Sequence, residues 1–285
     1  MTIVSSGQIT MNDIVAEFGG SGQHGLQEYY RGGSFVANNS LNTSVPTSGQ
    51  ITIQDFYGAQ KYTPLAILGS QTWSTGSTSS TTSSTSVSVP SGTKSVVIMG
   101  GIGTNGYRYT RHNGATFGGA PLTEVISKNN ALAEYTFDSA IYARNTNLTG
   151  TQTAAMTYTN AQQVYGSGHI IVFLNKPFNS FSANSSGSAI TTGSTTSISL
   201  TKYGEGLQLS TGTVRAFTSL TNFTNTNSIT LSSGSDARRS TYGFDISSGS
   251  YNSASSMTVS LSTHANDFGE THAAATFRPT KFDEP

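Results

Sequence analysis

The sequence predicts a mainly β protein, a β-sandwich or jelly-roll body that follows a short N-terminal segment of helical turns. Three observations predict this class. After Pro64, apolar and polar residues alternate in short β-branched runs that end at Gly, Pro or Asn. Before residue 62, one motif with the pattern of a helix start occurs twice. Charged residues make up only 10% of the 285 residues, against about 25% in an ordinary domain.

The repeated motif organises residues 1–61. Its two copies are Ser6–Ile14, SGQITMNDI, and Ser48–Phe56, SGQITIQDF. In each copy a Thr precedes an Asp by three residues, an arrangement that resembles a capping box. An Ile directly before the Thr can form a hydrophobic staple, and Gly19 and Gly58 can end the turns. Each copy therefore predicts a capped helical segment of about two turns at most.

Helices this short are marginally stable alone, so the segment needs a surface on which to bury its apolar residues. We predict that residues 1–61 form a docking segment that finds this surface on a neighbouring molecule. The alternative is an N-terminal subdomain that folds against its own body. The candidate anchor and subunit-contact residues are Ile9, Asp13, Ile14, Phe18, Tyr29, Tyr30, Arg31, Ile51, Asp55, Phe56 and Tyr57.

The period-two pattern predicts that residues 62–285 form the β body. One side chain in two is apolar, as expected for strands with one face in a core and the other in water. Residues 75–86 are almost purely Ser and Thr, and they form either a linker or an edge strand. The clearest predicted strands lie at residues 86–89, 94–99, 168–174, 197–200, 228–231 and 257–261.

Charge and composition exclude several classes of function. Lys and Arg number 14 and so do Asp and Glu, which gives a net charge of +0 and no footprint for nucleic acid. No apolar run approaches the ~18 residues of a membrane helix, and no secretory-signal pattern opens the chain. With Cys 0, the chain has no disulfides and no thiolate zinc site.

Residues 101–106 spell G-x-G-x-x-G, the pattern of a dinucleotide-binding loop. Such a site needs a helix whose N-terminus faces the pyrophosphate. The residues that follow have no apolar stripe, so we predict a glycine-rich loop and no cofactor.

The next residues combine aromatic and cationic side chains in an otherwise weakly charged chain. Aromatic rings can stack on sugars, and Arg can bind carboxylates or phosphates. One interpretation is a surface-binding loop that contacts a host glycan or another subunit. The other is a solvated hairpin whose tyrosines lean on the sheet. The residues concerned are Tyr107, Arg108, Tyr109, Arg111 and His112.

A second cluster contains His264, Asp267, Glu270 and His272 near the C-terminus. Zinc needs three or four convergent ligands, and His272 opens a predicted strand, so we predict ordinary loop residues and no metal. The sequence contains no G-x-S-x-G or H-E-x-x-H motif. Carboxylates are few, which leaves little supply for glycoside cleavage. We therefore predict that the protein is not an enzyme.

The N-terminal segment resembles a module of tailed-phage virion proteins, especially of marine and cyanobacterial phages. The likeness covers about residues 4–60 and rests on three ordered motifs, SGQIT with its Asp, EYYRGG, and VPTSGQIT followed by DFYGA. Residues 117–123 and 141–144 resemble a strand–turn–strand of virion-surface modules. The resemblance implies a non-enzymatic virion structural protein, tail-fibre-like, anchored through its N-terminal segment with the β body exposed.

Partners and location follow from the same resemblance. It implies contacts with other virion proteins, a homo-oligomer that is a trimer if the protein is a fibre, and contact with a host surface glycan. The protein would be assembled in the host cytoplasm and located on the particle surface. The alternatives are a capsid decoration (cement) protein and a carbohydrate-active depolymerase. The motifs do not distinguish tail, neck and capsid.

Overall fold

The structure is a computed structural model that describes residues 3–38, 42–61, 63–75, 80–105, 110–131, 135–159, 164–188, 195–215, 218–220, 223–224, 226–232, 238–248, 253–263 and 270–280. The prediction of a mainly β protein is confirmed. The chain divides into two compact units, the N-terminal unit Met1–Pro64 and the β body Leu65–Pro285. No helix in the described part of the chain is long and apolar enough to cross a membrane.

The N-terminal unit contains one α-helix, α1 (Met11–Phe18), and two 3-10 turns, Leu26–Tyr29 and Ile53–Phe56. Both predicted capping boxes are present. The backbone amide of Thr10 donates to the Asp13 carboxylate at 2.7 Å, and that of Thr52 donates to Asp55 at 2.7 Å. In both copies the Thr hydroxyl also donates to the same carboxylate oxygen.

The N-terminal unit has a hydrophobic core of its own. All members of this core lie between residues 3 and 59, and they pack on one another. The expectation that the segment finds its burial surface on a neighbouring molecule or on the body is therefore corrected, because the segment covers its own apolar residues. The buried members are Ile3, Ile9, Ile14, Phe18, Tyr29, Val36, Val45, Phe56 and Ala59.

In the β body, the described residues form antiparallel strands only. The strands are β1 Ile67–Thr75, β2 Thr82–Val89, β3 Ser95–Asn105, β4 His112–Phe117, β5 Ala120–Pro121, β6 Thr123–Ala131, β7 Tyr135–Asn145, β8 Gly150–Tyr158, β9 Val164–Leu174, β10 Phe178–Ser188, β11 Thr195–Tyr203, β12 Glu205–Arg215, β13 Thr218–Leu220, β14 Thr226–Ser232, β15 Arg238–Ser248, β16 Ala254–Thr263 and β17 Glu270–Pro279.

These strands form four sheets. The first outer sheet has the order β2-β8-β4-β5, and the first inner sheet has the order β1-β9-β3-β7-β6. The second inner sheet has the order β10-β17-β12-β15-β14, and the second outer sheet has the order β11-β16-β13. The Ser/Thr-rich stretch thus contributes β2, which is an edge strand from Thr82 onward; residues 76–79 lie outside the described residues.

The four sheets stack as layers, and a hydrophobic cluster fills each gap between them. Trp73, Ile98 and Met156 belong to the cluster between the first outer and first inner sheets. Met99 and Phe277 belong to the cluster between the two inner sheets. A third cluster joins the second inner sheet to the second outer sheet through the side chains of Leu200, Val259, Leu261 and Ala274.

Both inner sheets are therefore covered on both faces, which explains their composition. In β3, the four consecutive residues Val96, Val97, Ile98 and Met99 are fully buried, because even and odd positions face different clusters. A strand with two buried faces is apolar throughout rather than alternating. On the outer-sheet strand β2, by contrast, alternate side chains are exposed and polar, as at Ser84, Ser86 and Ser88.

The two halves of the body share one strand order. Strands β10 to β17 correspond in chain order to β1, β2, β3, β4, β6, β7, β8 and β9. With this matching, the second inner sheet has the strand order of the first inner sheet, and the second outer sheet has that of the first outer sheet without β5. The register agrees as well, since Gly100 of β3 pairs with His169 of β9, and Gly212 of β12 pairs with His272 of β17. The body is therefore an internal structural repeat.

Candidate functional site

The predicted anchor residues are not a continuous exposed surface. Five of them, Ile9, Ile14, Phe18, Tyr29 and Phe56, are buried in the core of the N-terminal unit and cannot contact a partner in this conformation. The remaining six are half-buried. These are Asp13, Tyr30, Arg31, Ile51, Asp55 and Tyr57.

Two of the half-buried residues tie the repeated motifs together. The Tyr57 hydroxyl donates to the carbonyl of Gly7 in the first copy. The Tyr30 hydroxyl donates to the carbonyl of Gly49 in the second copy. Each SGQIT glycine therefore accepts a hydrogen bond from a tyrosine elsewhere in the unit, and this cross-bonding is a role that the sequence analysis did not foresee.

The surface where the two copies meet has an exposed apolar side chain. Val4 is 51% exposed, and its carbonyl accepts a hydrogen bond of 3.2 Å from the amide of Gly58, at the end of the second copy. We call Val4, Gly7, Tyr57 and Gly58 the repeat junction. It is the candidate attachment surface of the N-terminal unit, because it presents an apolar group on a backbone fixed by hydrogen bonds.

The predicted surface-binding loop is only partly visible. Tyr107, Arg108 and Tyr109 lie outside the described residues. Arg111 is exposed, and its backbone pairs with Thr159. The prediction that His112 belongs to a surface loop is wrong, because His112 begins β4 and is only 4% exposed. Its side chain points into the core and cannot contact a ligand at the surface.

His112 instead belongs to a buried polar cluster between the first outer and first inner sheets. Asp138 of β7 accepts two hydrogen bonds of 2.7 Å at one carboxylate oxygen, from the backbone amide of His112 and from its Nδ1. Both side chains are essentially inaccessible to solvent. A buried carboxylate needs such donors, because an unpartnered charge in the core is costly.

The cluster continues to His169 of β9. The Tyr158 hydroxyl lies 2.8 Å from Ser167 Oγ and 3.1 Å from His169 Nε2. The His169 ring stacks on Trp73 with a centroid distance of 4.9 Å. Burial, and secondly the nearby His112, hold the pKa of His169 well below its ordinary value, so the ring is neutral. Burial also raises the pKa of Tyr158.

Sequence reasoning missed this cluster. Its members are far apart in the chain, and the sequence pattern of β7 does not show that Asp138 lies opposite His112. One signal existed, because polar residues inside otherwise apolar strands are expected to find partners in the core. The described residues contain no group of three or more His, Cys, Asp or Glu side chains that could hold a metal ion. Because its members are buried, the cluster acts as a hydrogen-bond network that joins strands of two sheets.

The glycines of the G-x-G-x-x-G pattern correct another prediction, because Gly101 and Gly103 lie inside strand β3 rather than in a loop. Gly101 sits where the inner sheets approach closely. A Cβ at this position would lie 2.1 Å from both Thr213 Oγ1 and Ser240 Oγ. The glycine therefore permits close packing of the two inner sheets.

The C-terminal His/carboxylate cluster falls mostly outside the described residues, since His264 and Asp267 lie in the gap at 264–269. Glu270 and His272 lie on strand β17. His272 is fully buried, and its Nε2 is 2.7 Å from Ser210 Oγ. His272 thus lies in the strand that the sequence predicts around it, and it is a buried strand residue rather than a loop residue.

Comparison with known proteins adds no relative to this picture. No family model, no curated protein and no solved structure matches the chain.

Proposed function

We propose that this chain is a non-enzymatic structural protein of a bacteriophage particle, tail-fibre-like, attached through its N-terminal unit with the β body exposed. The proposal rests on the resemblance of residues 4–60 to a module of tailed-phage virion proteins. The observation that supports it best is the closed core of the N-terminal unit. A unit that covers its own apolar residues can precede different bodies without being redesigned.

The way in which the unit attaches differs from the first expectation. Its core is complete, so a partner would bind its outer surface rather than fill a gap in it. The repeat junction is the surface that we assign to this contact, because Val4 is 51% exposed. An apolar side chain on a rigid backbone gives up little conformational entropy when a partner covers it.

The β body suits a rigid exposed component. Two β-sandwiches, joined through their inner sheets, place every long apolar strand in the interior. The outermost faces carry hydroxyl side chains such as Ser197 and Ser260, whose Oγ atoms lie 2.8 Å apart. The His112–Asp138 pair is sealed in the core, which favours a structural role over catalysis. We also propose that the strands of the β body are connected as in a jelly roll.

Localisation in the particle tests the proposal. Antibodies raised against the purified chain are applied to purified particles of the phage that encodes it, and bound antibody is imaged by immunogold electron microscopy. Label on fibres at the tail supports the proposal. Label over the whole capsid favours a decoration protein instead, and absence of the chain from purified particles contradicts both assignments.

A matched pair of variants tests the attachment surface. Val4→Asp places a charge on the repeat junction, and we expect the variant chain to be missing from assembled particles. Ser84→Asp places the same charge on the exposed outer face of β2, and this chain should be incorporated normally. Equal incorporation of the two variants contradicts attachment through the repeat junction.

A further inference from the structure

An open groove lies between the edges of the two inner sheets, where β6 borders β10. It has a volume of about 440 Å³. Residues of both halves of the body line it. They include Thr123 and Val125 from β6, Asn145 from the end of β7, Phe178 and Phe181 from β10, and Phe277 from β17.

Three phenylalanines form one wall of this groove. The ring of Phe277 is at the base, with centroid distances of 4.5 Å to Phe178 and 6.0 Å to Phe181. Phe277 is 1% exposed whereas Phe181 is 49% exposed. Phe181 therefore presents an aromatic surface to solvent on a fixed aromatic base.

Local backbone irregularities create this wall. Residues three apart on a regular strand point to opposite faces. A register shift between Phe178 and Ser180 in β10 allows Phe178 and Phe181 to share a face. The opposite border, β6, has its own register shift between Glu124 and Ile126. Bulges on edge strands commonly re-aim side chains at binding sites.

The groove is held in shape by a two-point hydrogen bond. The Asn145 amide donates to the Phe178 carbonyl at 3.1 Å, and the Phe178 amide donates to Asn145 Oδ1 at 2.9 Å. This pair fixes the start of β10 to the end of β7. A preformed site loses less entropy when a ligand binds.

The other half of the body shows that the fold does not require this exposed ring. In the structural repeat, His272 corresponds to His169. Phe277 therefore corresponds to Leu174, because each lies five residues after that His in its strand. The partner of Leu174 on the edge strand is Ile67, which is half-buried and aliphatic. The equivalent position in β10 is Phe181, paired with Phe277. The exposed aromatic side chain is thus specific to one half.

Most polar groups around the groove are neutral. Arg144 is the one charged residue among the described residues that line it. Its guanidinium is bonded to backbone carbonyls, since Nη1 donates to that of Phe117 in β4 at 3.3 Å and Nε donates to that of Asn145 at 3.4 Å. The other polar side chains that line the groove carry hydroxyl or amide groups, and they include Thr123, Asn179 and Ser180. Such a lining favours a neutral ligand with many hydroxyl groups over an anion.

We infer that this groove binds a neutral saccharide, with Phe181 as its stacking residue. The C–H bonds on one face of a hexose ring are apolar and pack on an aromatic face, while its hydroxyls bond to amides and hydroxyls at the border. The biological context of this inference rests on the proposed function. An exposed particle protein would meet carbohydrate at a host surface.

Affinity electrophoresis of the full chain tests the inference. Native gels are cast with dextran, mannan, galactan or laminarin, and run at alkaline pH because the sequence pI is about 7.0. We expect at least one of these polysaccharides to retard the protein, at about millimolar affinity. Phe181→Ala should weaken the retardation about tenfold, whereas Phe181→Tyr, which keeps the ring, should preserve it.

Ser84→Ala is the control, since Ser84 is exposed on the outer face of β2 and does not line the groove. It should migrate like the unsubstituted protein in every gel. No retardation by any polysaccharide overturns the inference, and so does retardation that Phe181→Ala leaves unchanged. Particle localisation is measured separately, so its failure and the failure of saccharide binding are distinguishable.

Discussion

His169 shows how a single residue can make the stability of the body depend on pH. The ring is fully buried between Trp73 and Tyr158, and among the described residues no acidic side chain bonds to it. Protonation of His169 would therefore place a positive charge in the core with no negative partner beside it. The pKa of His169 is lowered in the folded protein, so the unfolded chain binds this proton more readily.

The body should therefore lose stability as the pH falls below the ordinary histidine pKa of 6.5. The contribution of His169 approaches about 1.4 kcal/mol per pH unit below this value. The measurement is urea unfolding at pH 7 and pH 5, monitored by the fluorescence of Trp73. Trp73 is the single tryptophan of the chain, and its ring stacks on His169.

His169→Gln keeps a partner for the Tyr158 hydroxyl and removes the titrating ring. We expect its stability to change less between the two pH values than that of the unsubstituted protein. An identical pH dependence in both proteins would show that His169 does not titrate in this range.

At the scale of elements, the capped turns and strands followed from local patterns. Thr10 and Asp13 specify the start of α1 within four residues. The stacking of the sheets was not predicted. The apolar runs of β3 and β9 do indicate strands buried on both faces, but a run cannot show which sheet covers it.

The candidate site was harder to predict than the elements. The contact between His112 and Asp138 joins strands 26 residues apart, and its formation depends on which sheets pack together. The groove depends on two register shifts, which no alternating pattern encodes. The anchor prediction was wrong about the source of the burial surface, because Ile14 and Phe56 come from separate copies and reach one core only after the chain folds.

The capping box of α1 gives a prediction at this scale. The Thr10 hydroxyl and then its backbone amide lower the pKa of Asp13, so the ionised carboxylate stabilises the helix. Asp13→Ala should destabilise α1, and amide exchange in residues 3–20 should become about fivefold faster. Hydrogen-exchange mass spectrometry measures this rate, because Trp73 does not report on the N-terminal unit.

Asn12→Ala, an exposed substitution in the same helix, is the control and should leave the exchange rate nearly unchanged. Because the pKa of Asp13 is lowered, its stabilising effect is present above the ordinary value of 3.8 and is lost as the pH falls through the folded value. The difference between the two variants should therefore shrink in acid. A difference that persists there would contradict an electrostatic cap.

At the scale of the whole molecule, the β body is built from two halves that share a hydrophobic cluster between their inner sheets. Leu207, Leu209 and Phe277 of the second half pack with Val97 and Met99 of the first half. Because the inner sheets lose water only when both halves are folded, the halves should unfold as one cooperative unit.

Leu209→Ala tests this coupling from the half that lacks tryptophan. Leu209 is fully buried, and its truncation should cost about 2–5 kcal/mol. Trp73 lies in the other half, yet its unfolding midpoint in urea should fall with that of the whole body. Ser199→Ala, at an exposed position on the same half as Leu209, should not change it. An unchanged Trp73 transition in Leu209→Ala would mean that the halves unfold independently.

The N-terminal unit closes its own hydrophobic core, and the proposed attachment through its outer surface depends on this closure. The most direct test is an amide nitrogen–proton correlation spectrum of residues 1–64 expressed alone. We predict well-dispersed signals, with shifts produced by the packed rings of Phe18, Tyr29 and Phe56. A collapsed spectrum typical of an unfolded chain would contradict the claim and return the segment to dependence on another surface.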